Sequence, residues 1–532
     1  MGSDKYQQHS NIKALLIGIG FLLVIILAEV IALLRLNNGH LVYTLDDPYI
    51  HLALAENIIH GHYGVNAGEF SAPSSTILWP FLLAPFASSP CGEYAPLFIN
   101  IIAALATLFF AWKILNHSIT INNPSTKIII VSTLLIVFTL GTNLIGLIFT
   151  GMEHSLHVLI VAVIAWGLVL EAEGGKAAPW LVIAIVIGPL VRYENLAVSL
   201  PSLLYLAVRG HFKTSAISFL LIILMLGGFS FFLIHLGLGP FPTSVVAKST
   251  VVESMGSIKV MIKNLQESLN NPRGLVLVFG LLTLVGFALF SKQNHRKGLL
   301  AAVSSCAIVL HLIAGKYGWY HRYEIYMWAF FVLISFYLIG NTLSGLLAEE
   351  KRITNLLKII ALVCLGMVLT CFAYVRGLKS LPVASNNIYE QQYQMHRFAV
   401  NYYGKPVAVN DLGYVAYKNN NYVLDVRGLS SLDAFRYGRK GLGSEWINGL
   451  AESHGVELVM IYSKWFKDLP DTWVKIGDLR LGKPKITPAE DTVAFYALND
   501  QAYKEAVAKL RSFVKTLPAG VEFVYEKKNL TK

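Results

Sequence analysis

Long apolar runs separated by short polar turns occupy roughly the first 375 positions of this chain, and a more polar, mixed pattern follows to residue 532. The first run, about 14–34, exceeds the ~20 residues that a bilayer-crossing helix needs. Similar runs lie near 96–115, 128–150, 153–170, 214–236, 274–290, 298–314, 323–340 and 355–375. Two shorter ones, 179–191 and 196–208, meet at Arg192-Tyr193-Glu194 and read as a pair of spans with a polar elbow. The pattern predicts about eleven transmembrane helices. Residues 47–60 and 74–86 are too short to cross comfortably and predict two helices along the membrane surface, within about 47–90. The alternative is a hairpin dipping into the bilayer.

From Arg376 the pattern becomes that of a soluble domain. Runs at 406–409, 422–426, 456–462 and 492–498 are strand-like, and 501–517 is helical in period. The expected fold class is a mainly α polytopic membrane protein, residues 1–375, followed by an α/β domain, residues 376–532.

Composition agrees with this division and adds a direction. Hydrophobic residues make up 55% of the chain and charged residues only 14%, and the mean hydropathy is +0.56. The net charge is +11, and between the apolar runs the basic residues cluster in alternate short loops, at Lys113 and Lys127, Lys176, Arg209 and Lys213, Lys292 with Arg296 and Lys297, and Lys351 and Arg352. Such residues mark cytoplasmic loops. The amino terminus is therefore expected in the cytoplasm and the C-terminal domain outside a plasma (inner) membrane. The first run is too long for a signal-peptide core and lacks a small-residue cleavage site, so it reads as a retained span. No basic stripe with interleaved aromatics suggests nucleic acid. The four cysteines form neither a disulfide framework nor a zinc pattern.

The opposite loops hold the candidate chemistry: Asp46-Asp47, Glu153-His154, Arg192-Tyr193-Glu194, the segment 242–248 ending in Lys248, and the segment 316–324 with Lys316, Tyr320, His321, Arg322 and Glu324. All five fall on one predicted side, which suggests a polar cavity ringed by spans. Charge beside a bilayer is costly unless it is solvated or partnered, so the adjacent carboxylates mark a candidate site. Asp47 precedes Pro48 at a helix start and suits a capping role. Asp46 has no such role and is the expected base. An extracytoplasmic site has no ready supply of nucleoside-diphosphate donors, which favours a sugar carried on a polyprenyl phosphate. The leaving phosphate then needs cations (Arg192, Lys248, Lys316, Arg322), with His154 and His321 as hydrogen-bond donors and Asp46 or Asp47 as base. The plainer alternatives are that Arg192 and Arg322 pair with Glu194 and Glu324, that Glu153 is a helix-start charge, and that the 317–323 aromatics form an interfacial belt.

Leu-Asp-Asp-Pro-Tyr-Ile-His (45–51), Gly-Met-Glu-His-Ser-Leu (151–156), Arg-Tyr-Glu-Asn (192–195), Pro-Thr-Ser-Val-Val-Ala-Lys (242–248) and Trp-Tyr-His-Arg-Tyr-Glu (319–324), in this order, resemble bacterial GT-C glycosyltransferases. The nearest likeness is to the branch that includes the mycobacterial terminal arabinofuranosyltransferase. It extends more weakly to Asn410-Asp411-Leu412-Gly413 and to 423–429. The resemblance implies a GT-C-like fold and inverting transfer of a hexosyl or pentosyl group from a polyprenyl phosphate. It implies an aspartate base at Asp46 or Asp47, and donor recognition by Arg192, Lys248 or Arg322 beside Glu153, His154, Glu194, Tyr320 and His321. In some members a divalent cation, Mg or Ca, lies near that loop, which here would be at Asp46 and Asp47. Tyr193 departs from the proline common in relatives. Expected partners are the lipid-linked sugar, membrane lipids and a glycan, lipid or protein acceptor. A transporter or lipid-handling protein is the rival reading, but it would need ionisable groups along a route to both faces and often paired halves.

Overall fold

A computed structural model describes residues 2–248, 257–291, 294–348, 374–439, 445–466 and 468–526. They form two compact units. One is made of residues 1–29, 97–228 and 249–379, and the other of residues 30–96, 229–248 and 380–532.

The first unit is helical. After α1 (Gly2–Leu36), α2 (Asp47–Ile58) and α3 (Leu78–Ala87), the chain continues as α4 (Ala95–Ser118), α5 (Pro124–Gly141), α6 (Leu144–Phe149), α7 (His154–Gly174), α8 (Pro179–Val191), α9 (Leu196–Val208), α10 (Phe212–His235) and α11 (Thr243–Lys248). Then come α12 (Ile258–Asn270), α13 (Pro272–Phe290), α14 (His295–Ala314) and α15 (Ile325–Ala348). Among the described residues eight helices are long and apolar enough to cross a membrane: Ile12–Leu36, Gly92–Ser118, Pro124–Gly141, His154–Gly174, Phe212–His235, Pro272–Phe290, His295–Ala314 and Ile325–Gly345. α3 and α8 are shorter apolar helices. The run expected at 355–375 lies outside the described residues except for its last two positions.

Local sequence explains the helix boundaries. Asn123 caps α5 by accepting the Thr126 N–H at 3.1 Å, with Pro124 in the first turn, where its missing N–H costs nothing. The single run expected at 128–150 is broken after Gly141. Asn143 takes a left-handed conformation at φ 48°, which an asparagine tolerates better than most residues, and α6 restarts beyond it. Along α7, Val158, Val161, Ala162, Ala165, Leu168 and Ala172 are buried at three- and four-residue spacing, which is one helix face. The sequence reading did not anticipate α12, whose polar and apolar residues segregate to opposite faces around buried Asn264 and Ser268.

The second unit is built on a six-stranded sheet: β1 (Val407–Val409), β2 (Val423–Asp425), β3 (Leu458–Ile461), β4 (Val474–Arg480), β5 (Thr492–Ala497) and β6 (Glu522–Tyr525), in the order β2-β1-β3-β5-β4-β6. β1 runs parallel to both β2 and β3, and the other pairs are antiparallel. Every residue of β1, β2 and β3 is buried, as expected where parallel strands are covered on both faces. The four expected strands are present. β4 and β6 went unread because β4 is interrupted by Gly477 at a register shift and β6 is an edge strand with one buried residue. α16 (Gln392–Arg397), α17 (Gly413–Ala416), α18 (Leu432–Arg439), α19 (Trp446–Ser453) and α20 (Asp500–Phe513) surround it. α2 and α3 belong to this unit. In α2 every residue from Pro48 to Ala55 is buried, so the helix is enclosed on all sides rather than lying half-exposed. Asn66 pairs with the backbone of Val423 in both directions, at 3.0 and 2.9 Å. Thr243 donates from its backbone to Ala72 at 3.0 Å and from its hydroxyl to Leu429.

Candidate functional site

In the sheet-bearing unit the site starts from α2. Asp47 is its first residue and Pro48 follows in the first turn, while Asp46 occupies the N-cap position, where its carbonyl accepts the Tyr49 N–H at 3.1 Å but its side chain makes no bond to the helix. Its carboxylate turns instead to the start of α17. Oδ2 accepts the Gly413 N–H at 2.7 Å and Oδ1 accepts the Tyr414 N–H at 2.8 Å. This corrects the expectation that Asp46 has no capping role, because it satisfies the helix-start N–H groups of a distant helix. A Cβ at residue 413 would sit 2.1 Å from the Asp46 carbonyl oxygen, so the approach requires glycine.

Asp411 joins the pair. It accepts from the Tyr462 hydroxyl at 2.6 Å and from Gln392 Nε2 at 2.9 Å. Burial and the Asp411 charge push the Asp46 carboxyl well above the ordinary carboxylate range, against the two backbone donors that pull it down. Burial also raises Asp411, opposed by Tyr462 and Gln392. Three half-buried carboxylates in one place cannot all ionise cheaply. The resulting proton affinity suits a base, and Asp411 supplies more of it than Asp47 does. Aromatic rings lie alongside. Tyr49 and Tyr414 are 3.8 Å apart between centroids, and the Tyr414 hydroxyl reaches Glu93 at 2.8 Å.

Among the described residues no three His, Cys, Asp or Glu side chains are grouped to hold a metal ion. Both Asp46 oxygens already accept backbone N–H groups. No step below passes through the divalent cation expected at Asp46 and Asp47.

Lys248 ends α11 in this unit, and its side chain lies outside the described residues.

The helical unit holds the remaining expected residues in two groups. Arg192, in extended conformation between α8 and α9, is buried between Glu153 and Glu194, bonding the first directly and the second at 2.6 Å. His154 Nε2 lies 3.4 Å from the same guanidinium, whose Cζ is 5.7 Å from the Tyr323 ring. Burial pushes the Glu194 carboxyl up, but the Arg192 charge outweighs it and holds the group down at about 2. The plain expectation that Arg192 pairs with Glu194 is therefore met. Glu153 is a second partner, beyond its place at the start of α7.

In the second group Glu324 accepts the Gly318 N–H at 2.8 Å and the Tyr374 hydroxyl at 3.1 Å. Arg273, which the sequence reading does not name, forms an ion pair with it at 3.1 Å. Arg273 also donates to His321 Nδ1 at 2.6 Å. Burial and the Arg273 charge lower His321 to about 4, so at neutral pH the ring is uncharged and accepts through Nδ1. Arg322 is buried, with its guanidinium 5.1 Å from the Tyr323 ring. The loop itself is strained. Gly318, Trp319, Tyr320 and His321 all have φ between 40° and 77°, and three of them are not glycine. Left-handed backbone costs about 1–2 kcal/mol per such residue and gathers where function requires it.

Asp411 is a site residue that the sequence does not single out, although it lies in the Asn410-Asp411-Leu412-Gly413 pattern. Nor does the sequence single out Arg273, because one arginine opening an apolar run looks like an ordinary span boundary.

Comparison with known proteins adds the following. The model of a domain of unknown function, DUF8728, matches residues 386–496. No curated protein matches the chain. The chain is similar to solved structures of the Archaeoglobus fulgidus oligosaccharyltransferase. The apo form is 12% identical over 86% of this chain and 73% of that one, with a TM-score of 0.45. A complex with an inhibitory peptide and a dolichol-phosphate is 11% identical over 95% and 76%, with a TM-score of 0.41. A form tethered to an acceptor peptide is 11% identical over 95% and 76%, with a TM-score of 0.43. At this identity and these scores the likeness assigns no residue a role.

Proposed function

We propose that this chain is an inverting glycosyltransferase of the GT-C class that moves a hexosyl or pentosyl group from a polyprenyl phosphate to a hydroxyl of a cell-envelope glycan, lipid or protein. Asp46 carries the reading. It is a carboxylate fixed by two backbone donors just beyond an apolar helix, with its proton affinity raised by burial and by Asp411. In the reaction the acceptor oxygen attacks the anomeric carbon from the face opposite the phosphate, and Asp46 takes the hydroxyl proton. The bond from the anomeric carbon to the phosphate oxygen breaks, and its electron pair leaves with the polyprenyl phosphate. Asp47 orients the loop beside it. Cations stabilise the departing phosphate, and on the chemistry of the side chains this role goes to Lys248 and Arg322. Arg192 already faces two carboxylates and suits a positioning role better. The amino terminus is placed in the cytoplasm and the sheet-bearing domain on the far side of the plasma membrane.

The test is release of free polyprenyl phosphate by the purified protein from a panel of polyprenyl-phosphate sugars. Release that depends on Asp46 supports the reading. No release from any donor, together with passage of intact lipid across vesicle membranes, would replace it with the transporter.

A further inference from the structure

The far end of α2 from the carboxylates opens on a cavity of about 610 Å³, within the ~300–1,000 Å³ of pockets that enclose small ligands. It is lined by the last turn of α2, residues 65–68, residues 87–88 and the segment 416–422 that leads from α17 to β2. Its framework is fixed. Asn57 Nδ2 donates to the carbonyls of Gly64 and Val65, each at 2.8 Å, and Asn66 clamps Val423. Tyr422 stacks on His454, with centroids 4.2 Å apart, and its hydroxyl donates to Glu69 at 2.5 Å. A pocket so braced needs little ordering when a ligand enters.

The lining chemistry selects the ligand. One carboxylate, Glu56, and one ammonium, Lys418, cancel, the His60 ring beside them is bonded to the Glu56 carbonyl at 2.8 Å, and Glu56 accepts the Lys418 backbone N–H at 3.2 Å. A phosphate or another strongly charged ligand finds no surplus of opposite charge here. Three consecutive amides follow, Asn419, Asn420 and Asn421. Asn419 is spent on the turn, donating to the Val415 carbonyl and accepting the Asn421 N–H, both at 3.0 Å. Asn420 and Asn421 contribute side chains that each offer donors and an acceptor, the complement of neighbouring hydroxyl groups. The Tyr422 ring, stacked on His454 and packed against the core of the sheet, is a fixed wall of the pocket. A peptide joining the sheet as an extra strand would need the free edge of β2. That edge is occupied at Val423, where Asn66 takes both backbone groups.

We infer that this pocket binds a neutral saccharide segment of the acceptor, so that the acceptor is a glycan. The inference rests on the transferase reading above. From Asp47 to Asn57 α2 rises about 15 Å, at 1.5 Å per residue. The pocket thus holds the acceptor at a distance from the reacting hydroxyl, and binding energy gained there serves to orient that hydroxyl.

The experiment uses the full-length protein in detergent, without donor. Three sets of probes are compared by saturation-transfer NMR and titration: short neutral pentose and hexose oligosaccharides, uronate-containing acidic ones of equal length, and serine-rich peptides. Gly68→Trp fills the pocket mouth, where an added Cβ meets no atom within 4 Å, and Gly449→Trp is a control equally open but on α19. A neutral oligosaccharide is expected to bind. Its affinity should fall by about tenfold or more in Gly68→Trp and in the Asn420→Ala/Asn421→Ala double variant, and remain unchanged in Gly449→Trp. Binding of peptides or acidic glycans alone, failure of every neutral probe at millimolar concentration, or unchanged affinity in both pocket variants overturns the inference. Because donor is absent, a negative result leaves the transferase reading standing, and a protein that fails to turn over donor can still show the glycan affinity.

Discussion

The carboxylate of Asp46 accepts the backbone N–H of Tyr414 at 2.8 Å, across 368 positions of sequence. With the matching bond from Gly413 it fixes the proposed base to the loop that also carries Asp411.

Asp46→Asn is expected to slow transfer by about a hundredfold or more, the usual size of a general-base effect, while donor still binds. Its effect on stability has a definite sign. The folded-state pKa is raised, so the stabilisation from the protonated group is complete below the ordinary carboxylate range and is lost as pH rises through the raised value. Above that value the ionised Asp46 weighs against the fold, and an amide removes the charge while still accepting one of the two N–H groups. Melting at pH 8 should show Asp46→Asn no less stable than the wild type. Full activity in a folded Asp46→Asn protein would move the base to Asp47.

Asp411→Asn removes a negative charge that raises Asp46. The acidic limb of the pH-rate profile should move to lower pH, because Asp46 then ionises earlier. A limb that stays in place would detach Asp411 from the chemistry.

Arg192→Ala leaves Glu153 buried without its cation. The expected cost is about 3–5 kcal/mol, read as a lowered unfolding transition in detergent. A variant that melts like the wild type but loses donor affinity would return Arg192 to phosphate recognition.

Lys248→Ala and Arg322→Lys are each expected to weaken donor binding by about tenfold, consistent with loss of one charge-assisted contact to phosphate. Lysine at 322 keeps the charge but loses the guanidinium fork. Titration with a polyprenyl-phosphate sugar measures this directly.

For topology, a reporter active only in the cytoplasm should be silent when fused after Lys532 and active when fused ahead of the first apolar run, as the basic loops require. The reverse pattern would invert the proposed sidedness of every site residue.

The sequence showed what depends on period and on local stereochemistry. Within the described residues the apolar runs fall on helices, Asp-Pro marks the start of α2, and the four continuous apolar strands were read because buried strands leave an unbroken signal. It did not show partners chosen over long distances. Asp46 was assigned no capping duty because the N–H groups it satisfies lie in α17. Proximity in sequence offers Glu324 only Arg322, yet Arg273, some fifty positions earlier, pairs with it at 3.1 Å. Asp411 was overlooked because a carboxylate after a short strand looks like an ordinary turn residue until the fold brings Asp46 beside it.

The long-range bonds of residues 46–72 also bear on how the protein is made. Asp46 waits for Gly413 and Tyr414, Asn66 waits for Val423, and the turn of helix at Thr243 that meets Ala72 waits for Leu429. At a synthesis rate of about 5–20 residues per second, an interval of 368 positions takes roughly 20–70 s. For that time a newly made apolar helix, α2, has been synthesised but its final partners have not. Biogenesis therefore needs either shelter for that segment or a C-terminal domain that arrives already folded, and a ribosome stalled before residue 413 leaves a chain whose α2 has no native resting place.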